Sequence, residues 1–207
     1  MTKENILTIA SQEFSSYGYD KVSMNNLATK LNINKATIYY HFKDKKSLYQ
    51  EIVRNIIKSD KEQIEDIINS DYPPKDKFRL FIKKNIEKVK KNTQIIPLSL
   101  REMANLGTNV ENAIEENIEE EIELLVALLQ ELDLKDRYKD LDPYMLKSMI
   151  IGTINTYYSM QISNLKFTKM KNLDKNCDQV LDYVGDFISD ILLDGLCRVD
   201  SPTTNKL

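Results

Sequence analysis

Asn34-Lys35-Ala36-Thr37-Ile38-Tyr39-Tyr40-His41-Phe42-Lys43-Asp44-Lys45 is the stretch that decides the fold of the N-terminal quarter of this chain. It places short polar, aromatic and cationic side chains on one short helix. Such a mixture suits a surface that touches phosphates and base edges together. The stretch therefore makes DNA the first partner to consider.

Two further helices are predicted before this stretch. Apolar residues recur at helical spacing on the first, at Ile6, Ala10, Phe14 and Tyr17. Gly18 can take the left-handed conformation that often ends a helix. The second helix begins after the N-cap Ser23. Its inward-facing residues are Met24, Leu27, Ala28 and Leu31. Asn32 is expected to end it, because Asn tolerates a positive φ better than most residues.

The third helix is capped by Asn34 and anchored inward by Ile38 and Phe42. Ile33 is expected to fill the angle between the second and third helices. The outward positions are then Lys35, Thr37, Tyr39 and His41. Three helices arranged in this way predict a helix-turn-helix head whose third helix contacts DNA.

Many positions of this segment agree at once with one known pattern, carried by Ile6, Phe14, Tyr17-Gly18-Tyr19, Ser23-Met24, Leu27-Ala28, Ile38-Tyr39-Tyr40-His41-Phe42, Lys45 and Leu48. The pattern resembles the N-terminal DNA-binding domain of the tetracycline-repressor (TetR) family and covers about a quarter of the chain. The resemblance implies that DNA is touched by Ser23, Asn34, Lys35, Thr37, Tyr39, Tyr40, His41 and Lys45. Ala36 stands where such proteins often have Gly, and its methyl could meet a thymine.

Each candidate also has a plainer interpretation. Lys35 and Lys45 could be ordinary solvated lysines, but both flank the third helix, where a cation gains from phosphate attraction and counterion release. His41 is the single histidine and is expected to pack or hydrogen-bond rather than to ligate a metal or act in catalysis. Tyr39 and Tyr40 diverge by about 100° on a helix. One is therefore expected to pack and the other to reach phosphate.

Charge is distributed unevenly along the chain, whose net charge is −3. Residues 1–61 hold ten Lys or Arg and six Asp or Glu, a net charge of +4, so the remainder carries −7. The basic end is thus the end predicted to bind DNA. The acidic remainder can orient that end toward a duplex, although solubility explains it equally well.

The sequence predicts a cytoplasmic protein without catalytic residues, metal or cofactor. The first residues lead into an amphipathic helix rather than a signal peptide, and no apolar run approaches the ~20 residues of a membrane span. Cys177 and Cys197 lie on one predicted helix, about 30 Å apart, which is beyond disulfide reach. With one histidine and no close cysteine pair, a structural zinc site has no ligand set.

The predicted fold class is all-α, with a three-helix head and a larger C-terminal helical body for ligand binding and dimerisation, about nine helices in total. The predicted domains are a helix-turn-helix DNA-binding domain over 1–46, the body over 47–199 and a disordered tail over 200–207. A long fourth helix is expected from the N-cap Asp44 to the turn at Asp71-Tyr72-Pro73-Pro74.

Three more helices follow in the body. The fifth contains Phe78, Phe81, Ile82, Ile86 and Val89, the sixth runs from Ile96 to Leu106, and the seventh runs from Val110 to Leu132. The seventh carries a run of glutamates on its opposite face, at Glu111, Glu115, Glu116, Glu119, Glu120 and Glu123. We expect that run to be a solvated helix face rather than a metal site.

The last two helices are predicted to form a homodimer. Pro143 begins the eighth, on which Ser148, Gly152 and Thr156 form a strip of small side chains. The ninth is apolar over much of its circumference, at Leu181, Val184, Phe187, Ile188, Ile191 and Leu192. Such a helix needs two partners, and a second subunit would complete a four-helix interface. A monomeric bundle is the alternative.

The resemblance also implies a pocket in the body for an unknown small-molecule effector. Candidate lining residues are Phe78, Phe81, Met103, Met149, Tyr157, Tyr158 and Met160, with Arg101, Glu102, Asn155 and Gln161 as polar contacts. Core packing is the alternative for each of them.

Three classes of function follow from these features. The leading one is a ligand-responsive regulator of transcription, a repressor that a small molecule releases from a palindromic operator. The second is an architectural or co-activating DNA-binding protein without a ligand. An enzyme ranks last, because it would need paired perturbed carboxylates or a nucleophile with its base, and the single histidine in the head offers nothing of that kind.

Overall fold

The computed structural model describes residues 2–57, 61–92, 94–105, 107, 113–163 and 176–198. Within these ranges the fold is all-helical, which confirms the predicted fold class. The α-helices span, in chain order, Lys3–Tyr17 (α1), Met24–Lys30 (α2), Lys35–His41 (α3), Lys45–Ile57 (α4), Lys61–Ile68 (α5), Pro74–Lys91 (α6), Ile95–Ala104 (α7), Ala113–Glu131 (α8), Pro143–Ile162 (α9) and Cys177–Leu196 (α10). The predicted tail at 200–207 lies outside the described residues.

The chain divides into two compact units. Unit 1 comprises residues 1–59 and 88–120, and unit 2 comprises residues 60–87 and 121–207. The predicted domain boundary at 46/47 falls inside unit 1, so the compact body that contains the head is larger than the three-helix segment. It includes α4 and α7, both of which pack against α1.

The core of unit 1 follows the apolar pattern of the first four helices. Its fully buried side chains include Ile6, Phe14, Leu27, Ile38 and Leu48. Burying each such side chain contributes roughly 1.5–3 kcal/mol relative to leaving it in water. The hydrophobic pattern of α1 to α4 thus supplies most of the core that holds the three head helices together, and Leu98 of α7 completes it.

Tyr17 was expected to face this core, and that prediction is wrong, because Tyr17 is 57% exposed. Gly18, with φ +82°, ends α1 and redirects the chain. Tyr19 takes the inner place instead. Its ring lies 6.0 Å from Phe14 and 5.0 Å from Tyr49, measured between centroids.

The predicted fourth helix corresponds to two described helices, α4 and α5. Residues 58–60, between them, lie outside the described residues, so the continuity of this helix stays a prediction. Its predicted start is confirmed, since the Asp44 carboxylate accepts a hydrogen bond of 2.7 Å from the Ser47 backbone N–H. With α4 and α5 separate, the described residues hold ten α-helices rather than about nine.

Unit 2 is built from α5, most of α6 and α8, and the whole of α9 and α10. The buried apolar positions of α6 are the predicted ones, Phe78, Phe81, Ile82 and Ile86. Helix α10 approaches α6 closely at Gly185, where an added Cβ would lie 2.9 Å from Ile86 Cγ1. Gly185 therefore allows the two helices to pack without a gap.

Two polar contacts tie the helices of unit 2 together. The nearly buried Lys77 ammonium donates to the Ile68 carbonyl at 2.6 Å and to the Glu131 carboxylate at 2.8 Å. Lys147 forms an ion pair with Glu121. A buried ammonium needs such partners because burial otherwise penalises its charge.

Other predictions for the body fare as follows. Pro143 begins α9, as expected, after the N-cap Asp142. Glu119 and Glu123 of the predicted acidic face are exposed. The side chains of Glu115 and Glu116, like Leu106, Val110 and Glu111, lie outside what the structure describes.

In the part of the chain that is described, no helix has the length and apolarity to cross a bilayer, and no cluster of acidic, histidine or cysteine side chains could hold a metal.

Candidate nucleic-acid interface

Two capping residues fix the ends of α2 and α3. Ser23 Oγ accepts a hydrogen bond of 3.1 Å from the Asn26 N–H, and Asn34 Oδ1 accepts one of 2.8 Å from the Ala36 N–H. Between the helices, Asn32 has φ +52°, as the sequence predicts. Ser23 and Asn34 thus hold the turn with the same oxygens that they would offer to DNA.

Helix α3 presents one face to the core and one to solvent. Ile38 and Phe42 are buried at 0% and 3% exposure. This anchoring leaves Ala36 exposed on the opposite side and Lys35, Thr37 and His41 half-buried. The helix is seven residues long, so most of its outward positions lie within reach of one groove.

The prediction that one of the two adjacent tyrosines packs inward is wrong, since Tyr39 is 43% and Tyr40 83% exposed. The buried face of so short a helix is filled by Ile38 and Phe42, which leaves no inner place for a tyrosine. Lys35 Nζ lies 5.3 Å from the centroid of the Tyr39 ring. The Tyr40 ring contacts His41 edge-on at 5.0 Å, and its hydroxyl end is open to solvent.

Lys45 lies at the start of α4 against an aromatic ring. Its ammonium is 4.2 Å from the centroid of Tyr19 and 3.4 Å from the Asp20 carbonyl oxygen. Partial burial lowers the pKa of Lys45 from its usual value. Tyr19 thereby holds the cation in place beside α3, a role that sequence analysis did not assign to it.

Two exposed lysines flank the same region and were not among the predicted contacts, namely Lys43 and Lys46. Between them Asp44 caps α4, and hydrogen bonds from Ser47 keep the pKa of the Asp44 carboxyl below its usual value. The one acidic side chain of this segment is thus committed to the helix end. Adjacent basic residues in the sequence 43–46 could have indicated both lysines.

Arg101, predicted as an effector contact, lies in unit 1 and is bound to the end of α1. Its guanidinium donates to the Ser15 carbonyl at 3.4 Å and to the Ser16 carbonyl at 3.1 Å. The last carbonyls of a helix lack intrahelical partners and carry partial negative charge, and α1 has no basic residue in its own last turn. Arg101 supplies both the donors and the charge.

A second buried contact joins α7 to α4. The Tyr49 hydroxyl donates a hydrogen bond of 2.5 Å to Glu102 Oε1. Burial, with the adjacent carboxylate, raises the pKa of Tyr49 far above its usual value, so the phenol stays neutral. Glu102, predicted as an effector contact, therefore takes part in the support of the head.

The remaining effector candidates are dispersed. Phe78, Phe81, Asn155 and Tyr158 are buried in unit 2, and Tyr157 and Gln161 are half-buried there. Met103 in unit 1 is 68% exposed, and Met149 and Met160 in unit 2 are 52% and 36% exposed. The three methionines therefore do not lie in the enclosed positions expected of pocket-lining residues.

Taken together, a capped turn, a buried inner face on α3 and cations at both of its ends define a helix-turn-helix domain. Residues 6–52 match the family model for bacterial regulatory proteins of the tetR family. The chain therefore carries the N-terminal domain of the TetR family, as its sequence pattern predicts.

Curated relatives match this same segment. The biofilm operon icaADBC HTH-type negative transcriptional regulator IcaR of Staphylococcus aureus (strain Newman) is 42% identical over 52 residues, 25% of this chain and 28% of that protein. The uncharacterized HTH-type transcriptional regulator YhgD of Bacillus subtilis (strain 168) is 32% identical over 71 residues, 34% of this chain and 37% of that protein. The chain thus aligns with 28% of the length of IcaR and 37% of the length of YhgD, well below two thirds of either.

Solved structures match most of the chain in fold. The transcriptional regulator FadR from Bacillus subtilis, solved with stearoyl-CoA, has a TM-score of 0.66 and 19% identity, covering 94% of this chain and 99% of that one. The ketosteroid regulator KstR2 of Mycobacterium tuberculosis has a TM-score of 0.64 and 18% identity, covering 95% of each chain. At this identity the likeness establishes a shared fold, which includes the helical body.

Proposed function

We propose that this chain is a homodimeric transcriptional repressor that binds a palindromic operator and is released from it by a small molecule. The observation that carries the proposal is the outward face of α3, with Lys35, Thr37 and Tyr40 accessible and Lys45 held beside it. Side chains of this kind can combine phosphate contacts with base contacts. The name of the relative IcaR, a negative regulator, supports repression rather than activation.

An exposed apolar stripe on α10 supports the dimer. Tyr183, Phe187 and Ile191 follow one another at intervals of four residues and are 46%, 52% and 58% exposed. The rings of Tyr183 and Phe187 are stacked, with their centroids 6.3 Å apart. Large apolar side chains aligned on one helix face favour a protein partner, here a second copy of the chain.

Helix α9 carries a second surface of the same kind. Met145 and Met149 are about half exposed, at 50% and 52%, and Gly152 follows them. Outside its own helix, a Cβ added to Gly152 would meet nothing within 4 Å among the described residues. A partner helix could therefore approach closely at this glycine and cover the methionines beside it.

For the effector we propose an apolar small molecule bound in unit 2 among Phe78, Phe81, Asn155 and Tyr158, which are buried there. The structural relatives support an apolar class, because FadR was solved with stearoyl-CoA and KstR2 is named a ketosteroid regulator. A ligand that binds more tightly to a form whose two heads are spaced wrongly for the operator would shift the population away from the DNA-bound form.

Selection of bound duplexes from a random pool tests the proposal. The intact protein should enrich a sequence of two inverted half-sites about one helical turn apart. Lys35→Glu should abolish enrichment, whereas Lys83→Glu, the same charge change on the exposed side of α6, should leave it intact. If the wild-type protein enriches no sequence from the pool, the proposed binding to a palindromic operator is contradicted.

A further inference from the structure

A cleft of about 360 Å³ lies within unit 1. One wall comes from the middle of α1, one from the later turns of α4, and the third from Lys91, where α6 ends, with Asn92 and Gln94. All of its lining residues belong to unit 1. None of the effector candidates predicted from the sequence lies in it.

The polar groups of the third wall point to an excess of hydrogen-bond donors. Gln94 Oε1 already accepts a hydrogen bond of 2.8 Å from Ser15 Oγ, and Asn92 Oδ1 accepts one of 3.1 Å from the Gln94 N–H. Each amide oxygen has one of its two lone pairs engaged, so the two N–H donors of each NH₂ group are the larger part of what these side chains can offer a ligand. Lys91, beside them and exposed, adds an ammonium.

The α1 wall contributes a hydroxyl that lacks a partner. Ser11 Oγ is buried and makes no hydrogen bond. Thr8, one turn earlier, donates its own hydroxyl proton to the Glu4 carbonyl at 2.9 Å, so toward the cleft it can act as an acceptor alone. An unsatisfied buried hydroxyl is unfavourable, and a ligand oxygen entering the cleft would relieve it.

The rest of the cleft surface is partly apolar, with Gln12 and Asn55 as its further polar side chains. Leu7 of α1 and Ile52 of α4 both line it, and Ile52 is almost fully buried. Among the described residues that line the cleft none is acidic. A ligand that matches all of these groups has a negatively charged, oxygen-rich end and a small apolar part.

We propose that this cleft binds a small organic carboxylate, with the carboxylate held by Lys91 and the amide groups of Asn92 and Gln94, and the apolar part on Leu7 and Ile52. Binding does not depend on the proposed repressor function. An effect on DNA rests on that function and would arise because the ligand bridges α1 and α4 of the head to the segment after α6.

Benzoate is a suitable probe, since it joins a carboxylate to a small apolar ring, and benzyl alcohol is its neutral counterpart. In ¹⁵N-resolved NMR titrations of the full chain, benzoate should shift amide signals of residues 7–12, 52–55 and 91–94. Benzyl alcohol should bind at least about tenfold more weakly, as expected when a charge-assisted contact is lost.

Three variants locate the site. Lys91→Met should weaken benzoate binding at least about tenfold, whereas Lys91→Arg should retain it. Lys83→Met, which removes the same charge from another exposed position of α6, should bind like wild type. Shifts confined to other residues, or equal binding by the Lys91→Met and Lys83→Met variants, would overturn the proposal, and circular dichroism would verify that each variant is folded.

DNA binding is measured separately, by adding benzoate to the complex with the selected operator. If benzoate changes the operator affinity of the wild-type protein but not that of the Lys91→Met variant, the cleft has a regulatory role. Benzoate binding without any operator in the selection would contradict the repressor function and leave the carboxylate site standing.

Discussion

At the scale of single residues, the head separates the side chains that hold its helices from those that face outward. Ser23 and Asn34 use their oxygens as caps, whereas Tyr40 and Ala36 make no such contact and are exposed. Lys45 belongs to both groups, because its ammonium rests on Tyr19 and still has donors to offer. Sequence specificity should therefore come from α3, and affinity for any duplex from its flanking cations.

Thr37 lies near the start of α3 and is half-buried. Thr37→Ala should alter the preferred half-site and cost about 1–3 kcal/mol at one base position, because a hydroxyl and a methyl would be lost from base-edge contact. Parallel selections with wild type and variant provide the measurement. Identical enriched sites would mean that Thr37 takes no part in base recognition.

Lys45 is expected to neutralise one phosphate in each subunit. Lys45→Ala should then reduce the slope of log affinity against log salt by about 1.8 per dimer, at 0.9 per phosphate. Arg54→Ala removes a charge from the exposed far end of the same helix and should leave the slope unchanged. Equal slopes for wild type and Lys45→Ala would remove Lys45 from the interface.

Sequence reasoning worked best for residues whose role is local. The caps Ser23 and Asn34 and the positive φ of Asn32 follow from preferences that act over two or three residues. The places of Tyr17 and Tyr19 could not be predicted in this way. Which of them enters the core depends on the direction in which the chain leaves Gly18, and that direction is set by packing on Tyr49, thirty residues further along.

At the scale of helices, the head is supported by a segment far away in sequence. Helix α7 contacts the end of α1 through Arg101 and the side of α4 through Glu102. The helices themselves could be predicted because apolar spacing is a local signal. The contacts could not, since a sequence separation of 85 residues between Arg101 and Ser16 leaves no pattern to detect.

Gly18, which ends α1 beside Arg101, allows the packing at this helix end to be tested. Its φ of +82° is unfavourable for other residues, and an added Cβ would lie 3.2 Å from the Arg101 guanidinium. Gly18→Ala should therefore lower the free energy of unfolding by about 1–2 kcal/mol.

The matched control is Gly195→Ala, in α10, where an added Cβ meets nothing within 4 Å in the part of the chain that the structure describes. That change should be neutral or stabilise the protein by up to about 1 kcal/mol, because alanine favours helix. Urea unfolding followed by circular dichroism measures both variants. A Gly18→Ala variant as stable as the control would show that the α1 end tolerates a side chain.

At the scale of the whole molecule, the proposed function depends on pairing two chains. If Gly152 meets its counterpart in a second subunit, Gly152→Leu should separate the helices and dissociate the dimer, at a cost of one to several kcal/mol, on the order of that seen for overpacking. Sedimentation at micromolar concentration measures the result, with Lys83→Leu as a control on an exposed position of α6. If the Gly152→Leu protein stays dimeric, Gly152 does not lie in the dimer interface, and the stripe on α10 would have to form it.

The pairing of two heads on one operator is tested most directly by changing the distance between the half-sites. Anisotropy titrations would compare the selected operator with the same duplex carrying about 5 extra base pairs at its centre, half a turn of DNA. We predict that the insertion weakens binding by at least about 100-fold, because only one head can then reach its half-site. Equal affinity for the two duplexes would contradict a dimer that binds both half-sites through α3.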